Sequence, residues 1–163
     1  MTDAHKRAEE VALPFDPAAT ADDAKLVFIG GISTTWKSRA DCPKNLVRAR
    51  ELGTSATLQI DPPWRTGLTG LSEHSHAIVL YWMHQAQRDL IIQSPKHRET
   101  ATGTFALRSP VRPNPISLAT VQVISVDIAT GEVVIDAIDC LDGTPLLDIK
   151  PWFPSVDIPP EYA

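Results

Sequence analysis

Apolar residues in this chain fall into short runs separated by proline, glycine and polar clusters, with no internal repeat and no heptad pattern. Leu26-Val27-Phe28-Ile29 is apolar with β-branched and aromatic members, and predicts a strand that Gly30-Gly31 ends or bends. The polar stretch Thr34–Asp41 follows. Pro43 to Gly53 predicts a short helix with Gly53 beyond its end, or else an ordered loop. Ala56-Thr57-Leu58-Gln59-Ile60 alternates as a half-buried strand does, and Asp61-Pro62-Pro63 stops it. From Ala77 to Met83 the chain is continuously apolar between His76 and His84. Its β-branched and aromatic content predicts a central strand covered on both faces, with a buried helix as the alternative. Gly103–Leu107 reads as a further strand. Ile116–Ile128 and Glu132–Ile138 read as a hairpin turning at Thr130-Gly131. Pro151–Ala163 holds four prolines and predicts an extended tail. Many strands, few helices and regularly spaced turns make the chain mainly β, as a barrel or a sandwich.

The 163 residues suffice for one domain with a real core. We expect an N-terminal arm over residues 1–24, partly disordered or draped on a neighbour, a folded domain over 25–158 and a tail over 159–163. No run approaches the roughly twenty apolar residues of a transmembrane helix. The opening residues carry charges with no apolar run behind them, so no secretory signal is expected. Cys42 and Cys140 form no CxxC pair, and reduced thiols in a cytoplasmic protein are the expectation. The net charge is −5, from 20 acidic and 15 basic residues. Six of the acids precede residue 24, against two bases, which leaves 14 acids and 13 bases beyond it. That distribution speaks against indiscriminate nucleic-acid binding and leaves room for a local basic patch. Lys37, Arg39, Lys44, Arg48 and Arg50 are the candidates, either as a solvated face or as phosphate contacts.

Two polar segments stand out. In Arg108-Ser109-Pro110-Val111-Arg112-Pro113-Asn114-Pro115, three prolines fix φ and push their predecessors towards extended backbone, so Arg108, Arg112 and Asn114 ride on a stiff track. A binding site benefits from such stiffness, because the ordering entropy is lost in folding and not in binding. The second segment, Asp139–Pro151, contains Asp139, Asp142 and Asp148 around the turn signal Asp142-Gly143, and reads as neither core nor flexible linker. Asp142 has the bland role of making the turn. Asp139, ahead of it, is the residue placed to accept hydrogen bonds in a pocket, and Lys150 is expected to pair with Asp148 or another acid. His74, His76 and His84 share strand parity, but in a straight strand about 26 Å would separate His76 from His84, so no metal site is expected. Ser109 lies in no GxSxG, and Arg65-Thr66-Gly67-Leu68-Thr69-Gly70 lacks the Gly-Lys-Ser/Thr of a P-loop.

Gly103–Ile116, Leu141–Pro154 and the block Gly67–Ser72 followed by Ile78–His84 together resemble the motifs of the TsaA-like (TrmO) family, in the same order. The resemblance covers roughly residues 26–158. It implies a single-sheet β-barrel with few short helices, a homodimer, S-adenosyl-L-methionine as cofactor and tRNA as partner through its anticodon loop. The implied reaction is methylation of N6 of threonylcarbamoyl-adenosine at position 37. Carried over by motif, the cofactor contacts are Pro43, Lys44 and Asn45, His84 and Gln85, Arg108, Leu118, and Ile138, Asp139 and Cys140. Asp139 is the candidate catalytic group, orienting or accepting the N6 proton, and Arg112, Asn114 and Lys150 are candidate substrate contacts. Trp82 or Trp152 would stack the splayed base. Two departures are visible. Pro43-Lys44-Asn45 stands where the family has Pro-Arg-Gln, and Lys lacks the planar two-pronged contact of Arg. The additional C-terminal domain of bacterial relatives is not expected after Ala163. A cofactor-binding module without tRNA activity, or a small-molecule methyltransferase, are the rival readings.

Overall fold

The computed structural model describes residues 7, 9–20, 24–96 and 99–162. In chain order the strands are β1 (Val11–Ala12), β2 (Gly30–Ser33), β3 (Ala56–Ile60), β4 (His76–Trp82), β5 (Leu90–Gln93), β6 (Thr102–Gly103), β7 (Ile116–Asp127), β8 (Glu132–Ile135) and β9 (Thr144–Pro151). The chain divides into two compact units. Met1–Leu26 with Met83–Ser117 make one, and Val27–Trp82 with Leu118–Ala163 make the other.

The larger unit is a closed barrel in the order β2-β3-β8-β7-β4-β9, with β9 pairing back onto β2. Closure removes the sheet edges that an open sheet would leave unpaired. The pairs β2–β3, β2–β9, β3–β8, β4–β9 and β7–β8 are all antiparallel. Alternation places one side of each strand inward. On β3, Ala56, Leu58 and Ile60 are buried, and on β4 Ala77, Val79 and Tyr81 are, while His76, Ile78, Leu80 and Trp82 are half-buried. Val121, Val133, Ile135 and Leu146 complete this core at 1% exposure or less. The β7–β8 hairpin turns as expected, with Asp127 opposite Glu132 and Gly131 at φ +78°. The short helix α1 (Leu46–Glu51) starts at Asn45, whose side chain accepts the Arg48 N–H at 2.8 Å, and Gly53 follows its end at φ +65°.

The smaller unit holds a three-stranded sheet in the order β1-β5-β6. The described part of the N-terminal arm supplies β1, with Val11 opposite Ile92. Residues 1–6, 8 and 21–23 of that arm lie outside the described residues.

Four local expectations are corrected. The strand expected from Leu26 is β2 and begins at Gly30; Leu26, Val27 and Phe28 are 57%, 58% and 44% exposed. The glycine does not bend the strand but lets it form, because a Cβ on Gly30 would overlap the Gln59 carbonyl of β3. Gly103–Leu107 is a strand only at its start, and Thr104–Ala106 is a 3-10 turn. Thr144–Pro151, read as outside the core, is β9, with Thr144 at 2% and Leu146 at 0% exposure. Pro145 and the polar outward residues Asp148 and Lys150 conceal its pattern. The Pro151–Ala163 stretch is not simply extended, since Pro154–Asp157 forms a helical turn, α2, and Pro160–Tyr162 a 3-10 turn.

Candidate functional site

In the barrel unit, the segment after β8 carries Asp136, Ile138, Asp139, Cys140 and Asp142. Three of the four carboxylates from Asp136 to Asp148 are neutralised by a base. Asp136 meets Arg50 at 2.7 Å, Asp142 meets Lys37 at 2.6 Å and Asp148 meets Lys150 at 2.6 Å. Asp139 has no cationic partner among the described residues. Its Oδ1 accepts the hydroxyl of Tyr81 at 2.8 Å instead. A buried tyrosine hydroxyl needs a polar partner, and Tyr81 is 3% exposed. Asp139 is half-buried, and its second oxygen is not a buried orphan. The result is an oriented carboxylate whose charge is not paired with a base.

That charge is felt nearby. Burial first, then the Asp139 carboxylate, pushes the Cys42 thiol up to about 11. Cys140 is pushed up to about 12, chiefly by burial, with Asp139 and Cys42 adding to the rise and a hydrogen bond with Thr144 opposing it. The tertiary structure therefore makes neighbours of Cys42 and Cys140, 98 positions apart in the chain, and leaves both as free thiols. Pro43-Lys44-Asn45 follows Cys42 directly, so the barrel brings that block and the Ile138-Asp139-Cys140 segment into one neighbourhood. Pro43 is buried and Lys44 exposed. Asn45 spends its Oδ1 on the helix cap, which leaves its Nδ2 for other partners. Ile138 and Cys140 are 1% and 0% exposed. Their side chains belong to the core, and any ligand contact there falls to backbone groups. Asp142 makes the turn and more, binding Thr34 N–H at 3.0 Å and so fastening the turn to the end of β2. Leu118, on β7, is 44% exposed.

In the smaller unit, the proline-rich track is held from inside. Arg112 donates from Nε to the Ser109 carbonyl at 2.9 Å, and from one terminal nitrogen to the carbonyls of Thr104 and Leu107. Arg88 Nε donates to the Pro113 carbonyl at 2.6 Å, and Gln93 Nε2 to Thr104 Oγ1 at 2.9 Å and to the Val111 carbonyl. The stiffness thus comes from guanidinium and amide clamps as well as from proline. Arg112 is a buttress of the loop in this geometry, whereas Arg108 and Asn114 are exposed. His84 and Gln85 are exposed side by side, with Gln85 Nε2 3.3 Å from His84 Nε2.

His74 and His76 pack edge-on against Phe153 and Trp152, at 5.3 and 5.9 Å between ring centroids. Among the described residues no three His, Cys, Asp or Glu side chains gather as a metal cluster. Tyr81 was the group hidden in the sequence. It sits in an apolar run that reads as core, and the only local signal was a hydroxyl on a buried strand.

The closed antiparallel barrel places the chain among β-barrel proteins, distinct from the doubly wound sheets that bind dinucleotides at glycine-rich turns. Comparison with known proteins gives the family. Residues 31–158 match the tRNA-methyltransferase O N-terminal domain family, and the chain belongs to it. The chain is 45% identical over 141 residues to VirR of Rhizobium radiobacter, named a "Probable S-adenosyl-L-methionine-binding protein", covering 86% of this chain and 75% of that one. It is similar to the mouse tRNA (adenine(37)-N6)-methyltransferase, at 38% identity over 95 residues, 56% of this chain and 22% of the mouse protein. The crystal structure of TrmO from Pseudomonas aeruginosa superposes with a TM-score of 0.65 at 29% identity, over 86% of this chain. The present chain spans 60% of that TrmO chain. Among the described residues no helix is long and apolar enough to cross a membrane.

Proposed function

We propose that this protein is an S-adenosyl-L-methionine-dependent methyltransferase that modifies N6 of adenosine 37 in tRNA, with threonylcarbamoyl-adenosine as the acceptor. The observation that carries the reading is the family match over residues 31–158, joined by the similarity to a mouse enzyme named for that position and atom. The residues fit the cofactor's chemistry. S-adenosylmethionine carries a sulfonium and an ammonium, and Asp139 is the carboxylate of its segment that no base neutralises. When bound, the cofactor supplies an electrophilic methyl group.

The work left to the protein is alignment, which can supply about 7–11 kcal/mol of a displacement barrier. On the barrel, Pro43, Lys44, Asn45, Leu118, Ile138, Asp139 and Cys140 are the proposed cofactor residues. In the smaller unit they are His84, Gln85 and Arg108. Asp139 is also the proposed acceptor or orienter of the N6 proton. Its charge is suited to either task because Tyr81 orients it without cancelling it. Arg112, Asn114 and Lys150 are the proposed RNA contacts. Of these, Asn114 has the exposed side chain without an ion pair, while Arg112 already clamps its own loop and Lys150 pairs with Asp148. A cytoplasmic homodimer completes the proposal.

The test is nucleoside mass spectrometry of tRNA incubated with the purified protein and S-adenosylmethionine. One tRNA carries threonylcarbamoyl-adenosine and the control transcript is unmodified. A methyl group on that nucleoside alone supports the reading. A folded protein that binds the cofactor and methylates neither tRNA would make it a cofactor-binding module, a reading favoured by the net charge of −5 and by the name of the Rhizobium relative.

A further inference from the structure

The Tyr81–Asp139 contact joins β4 to the segment after β8 across 58 positions of sequence. Its construction is specific. The register between β4 and β9 runs Ala77↔Pro151 to Leu80↔Asp148 and then shifts, so that Tyr81 lies opposite Leu146 and Leu147 is the extra residue. Bulges of this kind re-aim side chains and occur beside functional sites. Here the shift sets Tyr81 and Leu146 together on the inward side, at 3% and 0% exposure, while Leu80 and Asp148 face outward and are half-buried. The hydroxyl at the tip of the inward Tyr81 then meets Asp139.

A base in place of Tyr81 would hold the carboxylate equally well, but it would cancel the charge, as Arg50, Lys37 and Lys150 do for Asp136, Asp142 and Asp148. A neutral donor restricts the rotation of Asp139 and leaves the charge for a ligand. We propose that Tyr81 is a positioning residue: by donating to Oδ1 it presents Oδ2 of Asp139 to a cationic or N–H-bearing ligand. This rests on the reading of Asp139 as a cofactor group, and deepens it by naming the residue through which the barrel sets that group's orientation.

The experiment is S-adenosylmethionine binding by titration calorimetry to the full chain as wild type, Tyr81→Phe, Asp139→Ala and the double variant. Circular dichroism and a thermal melt confirm the fold of each. Tyr81→Phe keeps the ring and removes the donor. We expect it to weaken binding about tenfold, the scale of one hydrogen bond to a charged group. In the Asp139→Ala background the same substitution should cost less than about twofold, because its target is gone. A purely structural tyrosine would lose the same factor in both backgrounds, and that result overturns the proposal. So does unchanged affinity in Tyr81→Phe. Should Asp139→Ala fail to fold, Asp139→Leu, which also offers the Tyr81 hydroxyl no acceptor, replaces it in the cycle with the same expectation. If wild type binds and Asp139→Ala binds equally well, the cofactor role of Asp139 and this proposal fall together, while S-adenosylmethionine as the cofactor stands. If wild type itself does not bind, all three fall.

Discussion

The carboxylate of Asp142 accepts the backbone N–H of Thr34 at 3.0 Å. The bond reaches across 108 positions and stops the β2 end and the turn before β9 from parting. Lys37 adds an ion pair at 2.6 Å and Ser33 a longer hydrogen bond at 3.4 Å. Asp142→Ala is expected to cost about 1–2 kcal/mol at pH 7, measured by urea unfolding. The hydrogen bonds from Lys37 and Thr34 hold the Asp142 carboxyl below its ordinary value of 3.8. A carboxyl lowered in the folded state stabilises above its unfolded pKa, and the contribution drains away as pH falls through the folded value. The gap between wild type and Asp142→Ala should therefore narrow below about pH 4. Asp142→Asn keeps an acceptor for Thr34 and should lose less stability at pH 7.

Cys42 should be a slow nucleophile despite being half-buried rather than sealed. With its pKa near 11, only about one thiol in a thousand is ionised at pH 8. Alkylation by iodoacetamide, followed by mass spectrometry, should run at least about tenfold slower than on a free-cysteine peptide. Asp139→Asn removes one of the two causes of the rise, so Cys42 should react faster in that variant. Cys140, at 0% exposure, should react only on unfolding. For a protein that handles a methylating cofactor, a neutral Cys42 is a poor target for self-methylation.

Arg108 and Arg112, four positions apart, should separate cleanly. Arg112→Ala removes the guanidinium from three carbonyls of its own loop and should destabilise by about 2–3 kcal/mol, with faster hydrogen exchange in residues 104–113. Arg112→Lys should rescue little, because an ammonium cannot span three diverging carbonyls as the planar guanidinium does. Arg108→Ala should lower affinity for S-adenosylmethionine, with circular dichroism confirming that the variant is folded. Unchanged affinity would count against the proposed cofactor role of Arg108.

Two glycines should resist substitution for different reasons. At Gly30 the backbone is an ordinary strand, but a Cβ would overlap the Gln59 carbonyl, so Gly30→Ala should cost about 3 kcal/mol. At Gly131 φ is +78°, and a Cβ would also overlap the Ile60 carbonyl and lie 2.6 Å from Arg65 Nε. Gly131→Ala should cost more than about 2 kcal/mol. Thermal unfolding checks both. By contrast, Gly67→Ala meets nothing within 4 Å and should be near neutral.

What the sequence by itself determined were features whose causes lie within a few residues. Alternation at Ala56–Ile60, the turn at Thr130-Gly131, the glycine end of the Leu46–Glu51 helix and the Asp148–Lys150 pair are set by local backbone preference and near neighbours. The motif resemblance likewise reached the family without coordinates, because its segments are long and contiguous. Tertiary structure decided what depends on strands meeting far from one another in sequence. Gly30 is read as a strand breaker until the Gln59 carbonyl of β3 lies against it. Thr144–Pro151 hides its strand character behind a proline and an outward ion pair, and becomes β9 because β4 and β2 offer it edges on both sides. Arg112 looks like a free binding group until its own loop folds around it. Asp139 resembles its acidic neighbours until folding brings Arg50 to Asp136, Lys37 to Asp142 and Tyr81 to Asp139. Local propensity acts over a few residues, whereas barrel closure pairs residues dozens of positions apart, and which charges are cancelled is settled only by that pairing.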